Sequence, residues 1–151
     1  MGEYCETLGK SSSLRLPKRQ SSRNRILYLP SILFASLLGT YLDLYFVAKQ
    51  FYEFPIRPFP DVFLINIVFT LVILPIGMGL FLYLVDKMPN WSRLVFTLFL
   101  SALVPFIEKK AVHLGYFHHE EQWNFIFSFF GYFLFLLLIW KIFKWGKTNI
   151  E

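Results

Sequence analysis

Four apolar blocks separated by polar or proline-rich pieces dominate the chain, at about residues 26–47, 62–85, 91–107 and 123–145. Blocks of roughly 20 apolar residues mark spanning helices, because the hydrocarbon core of a bilayer is about 30 Å thick. The apolar residues fill whole blocks, where a soluble amphipathic helix would confine them to one face. The pattern predicts an all-α polytopic membrane protein: a four-transmembrane-helix bundle with short loops. Residues 1–25 form a polar tail ahead of it, and residues 146–151 a short one behind.

Inside the blocks, the informative positions are the polar ones. Ser36, Gly39, Thr40 and Asp43 recur at three- and four-residue spacing, so they share one face of the first helix. Small residues on a face let another helix approach closely. Asp43 is the exception in kind, since a charge in the bilayer core costs roughly 2.5 kcal/mol or more. It lies about one turn from the far end of its block, where water can reach it. Asn66 and Thr70 lie four apart near the start of the second block. Thr97, Ser101, Pro105 and Glu108 form a stripe on the third helix, and Asn124, Ser128 and Gly131 on the fourth.

The connections carry their own signals. Phe54-Pro55-Ile56-Arg57-Pro58-Phe59-Pro60-Asp61 is stiff and extended, because proline fixes φ and keeps its predecessor out of the α region. Asp61 is placed to cap the second helix and Asn90 the third. Pro75 should free the carbonyl of Leu71 and kink the second helix. Arg93 is expected to snorkel to head groups. His118-His119-Glu120-Glu121 invites a metal reading, but adjacent residues cannot all face one ion, and the spacing fits no zinc pattern. A solvated loop and an acidic first turn of the fourth helix explain it better, so no metal and no cofactor are expected.

Composition and charge sharpen this picture. The chain is 56% hydrophobic, against about 45–50% for soluble domains. Cys5 is the single cysteine, which rules out an internal disulfide and leaves the redox compartment unread. The net charge is +5. The polar tail holds six Lys and Arg, the short turn Lys87 and Arg93, and the end Lys141, Lys144 and Lys147. These eleven oppose four on the other side, Lys49, Arg57, Lys109 and Lys110. The positive-inside rule then puts both termini in the cytoplasm. The basic, serine-rich tail is expected to be mobile and drawn to anionic lipid head groups. It does not read as a signal peptide, because its basic region and the apolar run after it are too long and no A-x-A site follows, nor as a myristoylation site, because position 6 is Glu6. With Tyr4 its one aromatic residue, the tail does not suggest a nucleic-acid partner.

With odd helices running outward and even ones inward, the polar stripes converge. Antiparallel packing around a shared core would form an outer-leaflet pocket lined by Asp43, Asn66, Thr70, Glu108, Asn124 and Ser128. Arg57 and His113 would stand at its rim. In one reading these groups lock the bundle together, with Asp43 paired to Arg57 or protonated. In the other, Asp43 and Glu108 bind a proton, a cation or a polar head group. No P-loop, G-x-S-x-G, H-E-x-x-H or Rossmann pattern is present, so an enzyme is the weaker expectation.

Gly39-Thr40 with Leu42-Asp43, then Phe54-Pro55-Ile56-Arg57-Pro58, Leu74-Pro75, Glu108 and the Trp123 to Ser128 start of the last helix form an ordered set. It resembles a family of small, uncharacterised multi-helix membrane proteins of spore-forming Gram-positive bacteria, over about residues 26–145. The resemblance implies a bacterial plasma membrane and a compact helical bundle, and brings no reaction or ligand. The expected function is a non-enzymatic structural or partner-binding membrane component. The alternatives are a proton- or cation-coupled carrier or sensor, which would need to dimerise, and an enzyme acting on lipid head groups. A homodimer or another membrane protein is the expected partner besides the bilayer.

Overall fold

The computed structural model describes residues 20–119 and 124–148, and it is mostly helical. Helix α1 runs Gln20–Ala48, followed by a two-residue strand β1 (Tyr52–Glu53). A π-helical turn (Phe69–Ile73) leads directly into α2 (Leu74–Lys87). Then come α3 (Asn90–His113), a second short strand β2 (His118–His119) and α4 (Phe125–Thr148). The expectations for residues 1–19, for the acidic turn at Glu120 and Glu121, for a fourth helix starting at Trp123 and for residues 149–151 lie outside the described residues.

Three segments are long and apolar enough to cross a membrane: Leu27–Ala48, Phe69–Lys87 and Ile126–Thr148. Their large side chains point outward along much of their length, including Leu33, Leu37, Leu71, Ile76, Phe127 and Leu134. Such a surface would be an aggregation site in water and is at home against lipid tails. Helix α3 differs. Arg93 on one side and Glu108 on the other leave an uncharged stretch of 14 residues, 94–107. That covers about 21 Å of helix, short of the core thickness.

The helix starts depart from the sequence expectations. α1 begins at Gln20 and carries Pro30 inside it. The second helix does not start at Val62. Asp61 is exposed in a turn, where Val62 and Phe63 N–H both donate to Phe59 O. Asn66 takes the capping role instead, its Oδ1 accepting from Phe69 N–H at 3.3 Å. Asn90 does not cap α3 either; its Oδ1 accepts from Arg93 Nη1 at 2.9 Å. Arg93 is folded inward, donating also to Val85 O (3.1 Å) and Met88 O (2.8 Å) and lying over the Trp140 ring. It therefore fastens the short turn between α2 and α3 and does not reach away from the bundle.

Helix α1 packs against both α2 and α4, and α3 packs on α4. The central core joins Ala35, Met78, Phe81, Leu82, Val85, Leu136, Ile139 and Phe143. Gly39 explains how close α1 and α2 come, since a Cβ there would stand 2.3 Å from Leu74 Cδ2. Three turns of α3 contribute the buried Thr97, Ser101 and Pro105. Their hydroxyls bond within the helix, Thr97 to Arg93 O and Ser101 to Thr97 O. This stripe therefore works through small size, which lets α4 approach.

Pro75 enters differently from a mid-helix kink. It stands in the first turn of α2, directly after the π-turn. Leu74 N–H reaches back five residues to Phe69 O. The next bond of that π register would run from residue 75 to Thr70 O, and proline has no N–H to make it. Ser36 on α1 supplies the missing donor, its hydroxyl bonding Thr70 O at 2.7 Å in a buried position. The displaced carbonyl is thus Thr70, where an α-helical register would have freed Leu71.

Candidate functional site

Two cap motifs build the end of the bundle where the long connections lie. α1 ends with Gln50 at φ 61°, Gln50 N–H bonding Val47 O and Phe51 N–H bonding Phe46 O. α3 ends the same way with Gly115 at φ 75°, Gly115 N–H to Val112 O and Tyr116 N–H to Ala111 O. These are Schellman motifs, which turn the chain back across the helix end. Each delivers a two-residue strand a few positions later. β1 and β2 pair antiparallel, Tyr52 opposite His119 and Glu53 opposite His118. Beneath them Tyr52, Phe54, Ile65 and Phe117 form a second, aromatic core.

The reversal after α1 carries Tyr52 back over the helix it has just left. Its hydroxyl donates to Asp43 Oδ1 at 2.6 Å. Across the bundle, Tyr132 of α4 donates to Glu108 Oε1 of α3 at 2.5 Å. Asp43 and Glu108 lie within electrostatic reach of each other, and Ser128 stands beside Glu108. Oε2 of Glu108 is buried and has no hydrogen-bond partner among the described residues. Tyr52 lies outside the spanning segments. Burial, and then the neighbouring Asp43 carboxylate, push its hydroxyl well above the ordinary tyrosine range. Two carboxyl groups and two phenols from three helices and β1 thus form one cluster.

The chain matches no family model, no curated protein and no solved structure.

Of the residues expected to line a pocket, the fold brings together Asp43, Glu108 and Ser128. The other three serve their own backbones. Asn66 caps the π-turn, Thr70 is fully buried with its carbonyl held by Ser36, and Asn124 caps α4 through Oδ1 to Ile126 N–H at 3.1 Å. Arg57 does not pair with Asp43. Its Nε donates to Phe63 O and its Nη1 to Phe54 O, both at 2.7 Å, so it staples the proline-rich connection to itself. It does line a surface cavity of about 410 Å³, with Tyr52, Glu53 and His118. His113 is exposed on the last turn of α3 and is not among the residues lining that cavity. No group of three or more metal-ligating side chains occurs among the described residues.

Tyr52 and Tyr132 were missed from sequence. Tyr132 had a readable signal, since it lies four residues after Ser128 and hence on the same face. Tyr52 had none in the spacing. Its position depends on the left-handed cap at Gln50, and glutamine gives no sequence hint of such a cap.

Proposed function

We propose that the protein is a non-enzymatic, four-span membrane component whose cluster of Asp43, Tyr52, Glu108 and Tyr132 holds an exchangeable proton or small cation. The observation that carries this is the buried carboxyl of Glu108, which meets the hydroxyls of Tyr132 and Ser128, leaves Oε2 without a hydrogen bond of its own among the described residues, and lies within electrostatic reach of Asp43. A buried polar atom left unpaired is costly, and a charged one more so. The one ion pair among the described residues, Lys147–Asp86, is elsewhere, and Arg57 is spent on carbonyls. A proton or a small cation is the group that completes such a site. Tyr52 both lines the surface cavity and donates to Asp43, which gives the cluster a link to solvent.

The four-span topology is part of this reading. It is supported by the way α3 deals with its charges, Arg93 on carbonyls of the neighbouring turn and Glu108 on Tyr132. The distribution of Lys and Arg favours both termini in the cytoplasm and the cluster toward the outer face of a plasma membrane.

The test is infrared difference spectroscopy of the protein in lipid across pH and across sodium and potassium concentrations. A carboxyl band that changes with either, and that is lost in Asp43→Asn or Glu108→Gln, is the expected result. A spectrum insensitive to both overturns the proposal. It would leave a hydrogen-bonded latch, for which the two tyrosine bonds already provide the geometry.

A further inference from the structure

The other end of the bundle, around the short turn between α2 and α3, has a polar organisation of its own. A cavity of about 280 Å³ opens there between the end of α2, the start of α3 and the end of α4. Arg93, Lys144, Lys147, Asp86 and Trp140 are among its walls. Three cations and one carboxylate give it a formal surplus of two positive charges.

The donors are not used up. Lys147 Nζ holds Asp86 at 2.9 Å from Oδ1 and 3.1 Å from Oδ2. Tyr28 donates to the same carboxylate at 3.0 Å, so Asp86 is satisfied from within. Arg93 commits three N–H groups, to Val85 O, Asn90 Oδ1 and Met88 O, out of the five that a guanidinium carries. It is thereby held rigid over Trp140 with two N–H groups to spare. The Lys144 ammonium has no partner among the described residues. A fixed guanidinium fork beside a free ammonium is the arrangement that recognises phosphate.

We infer that this cavity binds the phosphate of an anionic membrane lipid. Its volume falls just below the roughly 300–1,000 Å³ of pockets that enclose a drug-sized ligand, which suits one head-group phosphate and the oxygens beside it. The surroundings favour a lipid over a soluble phosphate. The exposed Trp145 and Leu84 belong to α4 and α2, two of the three helices that wall the cavity and both of them spanning segments. A phosphate seated at this end would let its acyl chains lie along those apolar surfaces. Basic pockets between spanning helices are known to hold such head groups. The site is independent of the carboxylate cluster.

Native mass spectrometry of the full chain, released from nanodiscs of phosphatidylcholine mixed with phosphatidylglycerol, tests this. The wild type is expected to retain one phosphatidylglycerol in preference to phosphatidylcholine. Lys144→Gln should lower that retention about fivefold, the worth of one cation at an anionic surface. Lys144→Arg should keep it. Lys141→Gln removes the same charge one turn away from the cavity and should leave retention unchanged. Equal retention in Lys144→Gln and wild type overturns the site. Equal loss in Lys141→Gln reduces it to general surface charge and overturns it too. A separate arm titrates inorganic phosphate into phosphatidylcholine nanodiscs and follows thermal stability. Stabilisation by phosphate that matches that by phosphatidylglycerol would overturn the lipid as occupant.

Discussion

Ser36 tests the account of the proline most directly. Its hydroxyl is the donor that Thr70 O receives in place of the N–H that Pro75 lacks. Ser36 is 8% exposed and Thr70 fully buried, so Ser36→Ala leaves a carbonyl with neither a protein donor nor water. Such a loss costs about 1–3 kcal/mol in water-soluble proteins. Interhelical polar contacts in a membrane protein average only about 0.6 kcal/mol, with a maximum near 1.7, because separated helices find other partners. Here the separated helix would still carry proline at position 75, so its alternatives are few. The expected cost of Ser36→Ala is therefore about 1–2 kcal/mol, at the upper end of that range. Pro75→Ala returns an N–H to the π register. In that background Ser36→Ala should cost less than about 0.5 kcal/mol, a coupling of about 1 kcal/mol between residues on different helices. Reversible unfolding in mixed micelles, titrated with sodium dodecyl sulfate and followed by tryptophan fluorescence, measures all four corners of the cycle. An equal cost of Ser36→Ala with and without Pro75 would show that the Ser36 hydroxyl does not stand in for the missing N–H.

Other outcomes follow from the two ends of the bundle. Gln50→Gly should stabilise the protein by about 1 kcal/mol in the same unfolding assay, since glutamine at φ 61° bears a strain that glycine lacks; Gly115→Ala should destabilise it by a similar amount. Tyr132→Phe removes the phenol that donates to Glu108 Oε1 at 2.5 Å and should cost about 1–3 kcal/mol, with little effect expected from Tyr116→Phe at an exposed position. Gly39→Leu should force α1 and α2 apart at Leu74 and cost about 1–3 kcal/mol, read as a lower unfolding midpoint. Tyr52 keeps its proton in the folded state to higher pH than in the unfolded chain, where tyrosine ionises near pH 10. Its contribution to stability is therefore complete below about pH 10 and falls as pH rises beyond that; unfolding midpoints measured across this range should decline less steeply in Tyr52→Phe.

The helical blocks were legible because membrane-crossing apolar runs are a strong one-dimensional signal, and the small-residue stripes because they repeat with the helix period. The stripe on α1 carried real information, since Ser36, Gly39 and Asp43 each meet another element. What spacing could not tell was where each polar group spends its hydrogen bonds. Thr97 and Ser101 bond backward along their own helix, Asn66 and Asn124 cap, and Arg57 and Arg93 gather loop carbonyls. From the spacing, Asn66, Asn124 and Arg57 look available for a pocket, and Arg93 for a head group. For Asn66, Asn124, Arg57 and Arg93 a backbone group without a helical partner lay closer. Helix ends and a proline create such groups in quantity, and a side chain a few residues away can reach them before any distant partner can.

The same competition identifies the residues that remain free for chemistry. A polar side chain near a helix end is ordinarily taken up by the local backbone, so one that is not must be held away by something else. Asp43 and Glu108 are held by phenols, which donate one hydrogen bond each and carry no compensating charge. A tyrosine therefore orients a carboxyl group without neutralising it, as an arginine or lysine would. Asp86 shows the contrast at the opposite end, where Tyr28 orients it and Lys147 also neutralises it. If the loop-end carboxyls served only to fasten helices, a cation in place of either tyrosine would do so with a stronger bond. Replacing Tyr132 by a neutral donor such as glutamine should then preserve any exchange of a proton or cation, while Tyr132→Lys should abolish it by filling the site with a resident charge. Exchange that survives in Tyr132→Lys, measured by the infrared carboxyl signal, would show that the phenols are not what keeps the site open.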